Sequence, residues 1–182
     1  ADDILAQADA ETRRVITKAR RECEVERSLD FDRFIRLHHQ SYGEGTTVDY
    51  GIAGRMFEAA ASRGQAEIAF VRLGGEADTA AVILVWDSET VYAWLHARSF
   101  VQKYSGASRL AFHEAMRTAE RLGLALDLDG YVRPSVGAFL IKFGLQPVVR
   151  PYVNDSSMLW QVSRAGTSLF FPRRPDRHFR VP

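Results

Sequence analysis

Hydrophobic and polar positions along the first third of the chain follow helical periodicity. Apolar residues recur every three or four positions, which predicts amphipathic helices over residues 3–22, 31–42 and 49–63. Asp30 stands directly before the second of these segments and suits a helix N-cap. The alternation of apolar and polar residues at 23–29 predicts a short strand between the first two helices.

After residue 65 the pattern changes to strands with two helices inserted among them. The predicted elements are strands at 66–73, 79–87 and 90–98, a small-residue turn at 105–108 opening a helix at 107–122, a strand at 124–130, a helix at 135–147, and strands at 148–153 and 157–163. Helices placed between strands cover both faces of a sheet. The fold class predicted is therefore α/β, with a mixed, mostly antiparallel central sheet. Its parallel step is expected across the helix at 107–122, with a right-handed crossover.

Composition and charge narrow the class of protein. A chain of 182 residues with 46% hydrophobic and 26% charged residues is typical of one globular domain, expected here at residues 1–163 with a basic tail at 164–182. The net charge of +1 does not indicate a polyanion partner for the chain as a whole. No run of ~18 apolar residues and no leader pattern is visible, and the single Cys23 fits a reducing compartment, so we expect a cytoplasmic protein.

The turn before the helix at 107–122 has the composition of a diphosphate site. Small residues let the backbone approach a ligand, and a helix start presents unpaired N–H groups and a positive dipole end. The candidate donor-binding residues are Gln102, Lys103, Ser105, Gly106, Ala107 and Ser108. Gly106 is expected at the surface. The alternative is an ordinary loop in which Ser105 caps the helix.

One candidate catalytic group lies on the predicted strand at 90–98. Tyr92, Trp94 and His96 alternate with apolar residues, so they are expected on one face of that strand. His96 near the strand end is a candidate general base, because the ordinary histidine pKa lies near the working pH. The alternative is a partly buried histidine with a structural hydrogen bond.

A second candidate is the carboxylate pair at the end of the strand at 124–130. Asp127 and Asp129 are two residues apart and point the same way on a strand, where either carboxylate could bind a cationic group or act as a general base. The alternative is a turn pair ahead of Gly130 that bonds local N–H groups.

Other histidines are weaker candidates. His38 and His39 are adjacent on a predicted helix and face different directions, with no further ligand at suitable spacing, so we expect no metal site. His113, within the helix at 107–122, is expected to be a packing or surface residue.

Two basic segments could contact phosphate groups. One lies on the first helix, at Arg13, Arg14, Lys18, Arg20 and Arg21; the other lies in the tail, at Arg173, Arg174, Arg177 and Arg180 among aromatic residues. Basic side chains with interleaved aromatics suit RNA, and a solvated helix face is the alternative.

Taken in order, these segments resemble the GNAT acyltransferase fold and, within it, the Fem-type branch of peptidoglycan aminoacyl transferases and related cell-envelope acyltransferases. The segments that carry the likeness are 12–43, 106–130, with its Asp-x-x-Gly end, and 138–147, with its Phe-Gly turn. The resemblance spans roughly residues 12–153. It implies transfer of an activated acyl group from acyl-coenzyme A or aminoacyl-tRNA to a small-molecule or peptide amine, without a metal.

The chain departs from the family pattern at three places. Gly106 comes one residue later than in the usual phosphate loop, Phe139 stands where many members carry a tyrosine acid, and Leu140 stands where the Fem branch has lysine. These departures give the alternative of a GNAT-like binding module without catalysis.

Overall fold

The computed structural model describes residues 4–75, 77–101, 104–128 and 134–148. The elements, in chain order, are a 3₁₀ helix at Ile4–Gln7, α1 (Ala10–Glu22), β1 (Cys23–Ser28), α2 (Phe31–Tyr42), a 3₁₀ turn at Gly43–Gly45, α3 (Tyr50–Ala61), β2 (Ala66–Leu73), β3 (Ala77–Trp86), β4 (Thr90–Arg98), α4 (Ser105–Leu122), β5 (Ala125–Asp127) and α5 (Pro134–Ile141). The strands expected at 148–153 and 157–163 and the tail at 164–182 lie outside the described residues, apart from Val148.

The five strands form one sheet in the order β1-β2-β3-β4-β5. The first four strands pair antiparallel, and β4 pairs with β5 in parallel from Thr90↔Ala125 to Tyr92↔Asp127. The predicted mixed sheet, with its parallel step across α4, is confirmed. Strand β5 is shorter than the strand predicted at 124–130.

The sheet is covered on both faces, as its strand pattern requires. Alternate residues of β2 and β3 enter two separate cores because successive side chains on a strand point to opposite faces. On one face, Val82 packs with buried residues of α1 and α4 and with Phe143. On the other face, Ile83 packs with buried residues of α2 and α3. The predicted helical layers on both faces are confirmed.

The first helix differs from its prediction. The segment expected as one helix over 3–22 is interrupted at Ala8 and Asp9, and α1 begins at Ala10. The Asp9 carboxylate accepts a hydrogen bond of 2.6 Å from the Thr12 backbone N–H. An aspartate in this extended conformation satisfies an N–H group that the first turn leaves unpaired, which favours a new helix start over continuation.

Strand β4 contains a β-bulge that changes which side chains share a face. Leu95 pairs with Ile83, but the next pair along is Ala93 with Leu84, so Trp94 is the extra residue. Trp94 packs on the α2 side of the sheet, whereas His96 stacks on a residue of α4. The prediction that Trp94 and His96 lie on one face is wrong because strict alternation fails at the bulge.

A network of charged side chains attaches the edge strand β1 to α4. Arg27 donates to Glu114 at 2.9 Å and to Thr118 at 2.7 Å, and it forms an ion pair with Glu67. Glu114 is almost completely buried, and its carboxylate also lies 3.3 Å from Arg117. Burial alone would raise the pKa of Glu114, but the contacts with His113, Arg117 and Arg27 lower it on balance.

His113 belongs to this network and is fully buried. Arg20 lies 3.0 Å from His113 Nε2 and can only donate, so Nε2 accepts and the ring proton sits on Nδ1. That proton faces Glu114, whose carboxylate is 3.6 Å away. The packing role expected for His113 is confirmed.

Candidate active site

The pairing of the parallel strands β4 and β5 ends well before β4 does. It ends at Tyr92↔Asp127, while β4 continues to Arg98 and, within the described residues, makes no further pair with β5. Helix α4 begins at Ser105, a few residues after β4 ends. Ligands of open α/β sheets bind outside the carboxyl ends of strands, so this unpaired part of β4 is the candidate place for a substrate.

His96 lies on the part of β4 that β5 leaves uncovered. Its imidazole stacks on Phe112 of α4, which in turn meets Phe139 and Phe143 edge to face with ring centroids at 5.5 and 6.2 Å. His96 Nε2 is buried and has no hydrogen-bond partner among the described residues. A polar atom left in this state is a candidate contact for a ligand.

The environment of His96 alters its chemistry. Burial, helped by the positive charge of Arg98 and by His38, lowers the pKa of His96 to about 4. The expectation that its pKa lies near the working pH is therefore wrong. At neutral pH the ring is uncharged and can accept a hydrogen bond, but it is a weak base.

Asp127, half-buried, ends β5 at the point where the strands separate. Leu126 and Leu128 pack with the core on the α4 side, so Asp127 is directed toward the α2 side by strand alternation. The structure therefore places His96 and Asp127 on different faces of the sheet. Asp129 and Gly130 lie outside the described residues.

The start of α4 differs from the predicted turn. Tyr104 is the N-cap residue, without a side-chain capping bond, so the reading of Ser105 as the cap is wrong. Ser105 is exposed and Ser108 half-buried within the first helical turn, so their backbone belongs to the helix and not to a loop. Ala107 is fully buried. Gln102 and Lys103 lie outside the described residues.

Gly106 is buried, contrary to its expected surface position. A Cβ atom added there would lie 2.7 Å from the Tyr104 ring, which packs across the glycine. The Tyr104 hydroxyl donates to Glu22 at 2.6 Å, joining the start of α4 to the end of α1. The pKa of the Tyr104 phenol is raised, mainly by burial and secondly by this hydrogen bond. The absence of a side chain at Gly106 therefore leaves space for the Tyr104 ring.

On the other face of the sheet, the end of α2 contacts the end of β4, which the sequence did not point to. Ser41 Oγ donates to the Arg98 carbonyl at 2.5 Å and accepts from the Arg98 N–H at 2.8 Å. These bonds attach the end of α2 to the end of β4. Nearby on α2, His38 Nδ1 lies 2.7 Å from the Tyr50 hydroxyl. The predicted helix boundary at residue 42 was the available signal, because it places Ser41 in the last turn.

Within the described ranges, no group of three or more histidine, cysteine, aspartate or glutamate residues is arranged to hold a metal ion. None of the helices in the same ranges combines the length and hydropathy needed to cross a bilayer.

The strand order, the short parallel pair and the helix that connects its two strands define the class of protein: this is the fold of acyl-coenzyme A N-acetyltransferases. A family model described as an acetyltransferase (GNAT) domain matches residues 7–130. Since that match covers well over half of the chain, the protein belongs to the GNAT acetyltransferase family. No curated protein sequence matches the chain significantly.

Solved structures share the fold at low sequence identity. The crystal structure of FemX matches with a TM-score of 0.62 and 13% identity, covering 79% of this chain. The chain spans 55% of the length of FemX. The aminoglycoside N-acetyltransferase AAC(6')-Iy in complex with CoA gives 0.57 and 8%, covering 74% of this chain and 94% of its own. A ribosomal-protein-alanine N-acetyltransferase from Brucella melitensis biovar Abortus 2308 gives 0.52 and 16%, covering 74% and 99%.

Proposed function

We propose that this protein is an N-acyltransferase of the Fem-type branch that moves an acyl group from acyl-coenzyme A to a small-molecule or peptide amine. The observation that supports the proposal is the end of β4–β5 pairing at Tyr92↔Asp127, beyond which His96 Nε2 lies buried without a partner among the described residues. The half-buried Cys23 suits a reducing cytoplasm, where we place the reaction.

The donor is proposed to bind at the start of α4. Its diphosphate meets backbone N–H groups of Ser105 and Gly106, with Ala107 and Ser108 continuing the same turn. Gln102 and Lys103, just before the helix, are assigned the polar and charged contacts. Since Tyr104 packs across Gly106, the diphosphate approaches the helix end beside that ring, not directly over the glycine.

The chemical step needs a neutral amine and a stabilised tetrahedral oxyanion, and the residues divide the work. His96, uncharged at neutral pH, accepts a hydrogen bond from a substrate N–H on the α4 side of the sheet, and not from the amine nitrogen that Asp127 reaches on the other face. Asp127, or Asp129 beyond it, takes the proton as the amine nitrogen attacks the thioester carbon. Collapse of the tetrahedral intermediate re-forms the carbonyl, breaks the carbon–sulfur bond and releases the thiolate, which takes the proton back from the aspartic acid, directly or through water.

Acyl-coenzyme A is preferred over aminoacyl-tRNA as the donor because the chain shares its fold with an acetyltransferase solved in complex with CoA. The tRNA donor stays the alternative within the same reaction class.

Calorimetry with acetyl-coenzyme A, a longer acyl-coenzyme A and aminoacyl-tRNA tests the donor directly. Release of free thiol is then followed across a panel of amino sugars and peptides with free amino groups. We expect binding of an acyl-coenzyme A and amine-dependent thiol release. Binding of aminoacyl-tRNA alone would replace the donor, and binding of none of the three would contradict the proposed activity.

A second candidate function is a GNAT-like binding module without catalysis. Phe139, at the position where a tyrosine acid is common, contacts Phe112 and Phe143 and has no proton to give the leaving thiolate. Tight binding of acyl-coenzyme A without thiol release, for any amine in the panel, would favour this candidate.

A further inference from the structure

The outward face of α1 carries three cations that the proposed reaction does not use. Arg14, Lys18 and Arg21 recur at helical spacing and are exposed, with Thr17 between them. Together with Glu22 they line a solvent-open depression of about 390 Å³. A depression of that size admits a small charged group.

These three residues differ from Arg13 and Arg20, the other basic residues of the same helix, in their contacts within the protein. Arg13 donates to the Ala8 carbonyl, which supports the break before α1. Arg20 bonds His113 in the buried network. Among the described residues, the ion pair that these three side chains make is that of Lys18 with Glu22, at 3.7 Å. The side chains of Arg14, Lys18 and Arg21 can therefore contact an external partner.

The depression adjoins the proposed donor site. Glu22, on its wall, accepts the hydrogen bond from Tyr104, the residue that caps α4. A donor whose diphosphate lies at the start of α4 therefore has its next groups beside the end of α1. Three cations against one carboxylate leave an excess of two positive charges, which matches the charge of a phosphate monoester near pH 7.

We propose that Arg14, Lys18 and Arg21 bind the terminal 3′-phosphate of coenzyme A and so select 3′-phosphorylated donors. This inference rests on the proposed use of acyl-coenzyme A. Arginine suits the contact because its planar fork donates two hydrogen bonds to a phosphate, while Lys18 adds a point charge. The Thr17 hydroxyl is placed to donate a further bond.

Calorimetry with coenzyme A and 3′-dephospho-coenzyme A on the full chain tests the inference. We expect the parent protein to prefer coenzyme A by roughly tenfold, since charge-assisted hydrogen bonds contribute on that order. Arg14→Ala and Arg21→Ala should each reduce the preference, and the triple variant with Lys18→Ala should abolish it. Arg36→Ala is the matched control, because Arg36 is an exposed arginine on α2, across the sheet.

The outcomes separate this inference from the proposed function. Equal affinity of the parent for the two compounds overturns the inference alone, as does a triple variant that keeps the preference. Binding of neither compound overturns both. If the triple variant loses tRNA binding while coenzyme A affinity is unchanged, the face binds RNA and the phosphate-monoester assignment is wrong. A preference that falls as salt is raised supports the exposed charges as its source.

Discussion

The imidazole of His96 stacks on the ring of Phe112, with 4.9 Å between ring centroids and 18° between ring planes. This contact joins the uncovered end of β4 to the second turn of α4. It excludes water from one side of the imidazole, which is why the uncharged form is favoured. The same contact places a hydrogen-bonding nitrogen beside an otherwise aromatic surface. Stability and its pH response are therefore linked at one residue, which is also a proposed substrate contact.

The first prediction concerns the pH dependence of stability. The His96 pKa falls from 6.5 to about 4 on folding, so between these values the unfolded chain binds a proton that the folded protein does not. The free energy of unfolding should therefore decrease as pH falls from 6.5 to 4, with about 3 kcal/mol from this residue. Urea denaturation at several pH values measures it.

His96→Gln is the matched variant for that measurement, because glutamine keeps a polar side chain without titrating in this range. Its stability should change less between pH 6.5 and 4 than that of the parent. Identical pH profiles for the two proteins would show that His96 is not the group responsible.

The effect of Gly106→Ala on the free energy of unfolding should change sign when Tyr104 is also replaced. Gly106→Ala places a methyl group 2.7 Å from the Tyr104 ring, so the ring must move and its bond to Glu22 is strained. We expect a loss of about 1–2 kcal/mol in the free energy of unfolding. In a Tyr104→Ala background the clash is gone, and alanine should stabilise the helix by ~0.5–1 kcal/mol.

A double-mutant cycle with thermal or urea unfolding provides that comparison. Equal effects of Gly106→Ala in the two backgrounds would contradict the packing of Tyr104 on Gly106.

Removing the buried carboxylate of α4 should destabilise the protein. Glu114→Ala leaves Arg27 and His113 without their acidic partner in a buried setting. The expected cost is about 2–3 kcal/mol, reduced from the fully buried case because Arg27 is partly exposed. Glu120→Ala, at an exposed position of the same helix, should stay within ~0.5 kcal/mol. Similar urea midpoints for the two variants would show that the network adds little stability.

Kinetic measurements can separate the proposed role of Asp127 as the base from binding of the donor. Asp127→Asn keeps the size of the side chain but removes the base, so kcat/KM for the amine should fall by ~10²-fold or more. Affinity for acyl-coenzyme A should be unchanged, since the donor contacts are placed at α4. Asp32→Asn, exposed on α2, serves as the control. Unchanged turnover would move the role of base to Asp129 or to another group.

Periodicity alone predicted most of the elements, because burial of one side of a helix or strand leaves a direct trace in the sequence. Helix α2 begins and ends where the apolar pattern and Asp30 predicted, with Asp30 accepting from the Arg33 N–H at 2.8 Å. The parallel step between β4 and β5 followed from the helix placed between them.

The sequence by itself thus determined the order of the elements and the layers. Only the tertiary structure decided which side chains share a face or a contact. The bulge at Trp94 changes the face of His96, and the Tyr104 ring takes the space beside Gly106. The first feature depends on how β4 pairs with β3, and the second on the hydrogen bond that holds Tyr104 against Glu22 of α1; local periodicity carries no information about either. The lowered pKa of His96 has the same origin, because burial by α4 produces it.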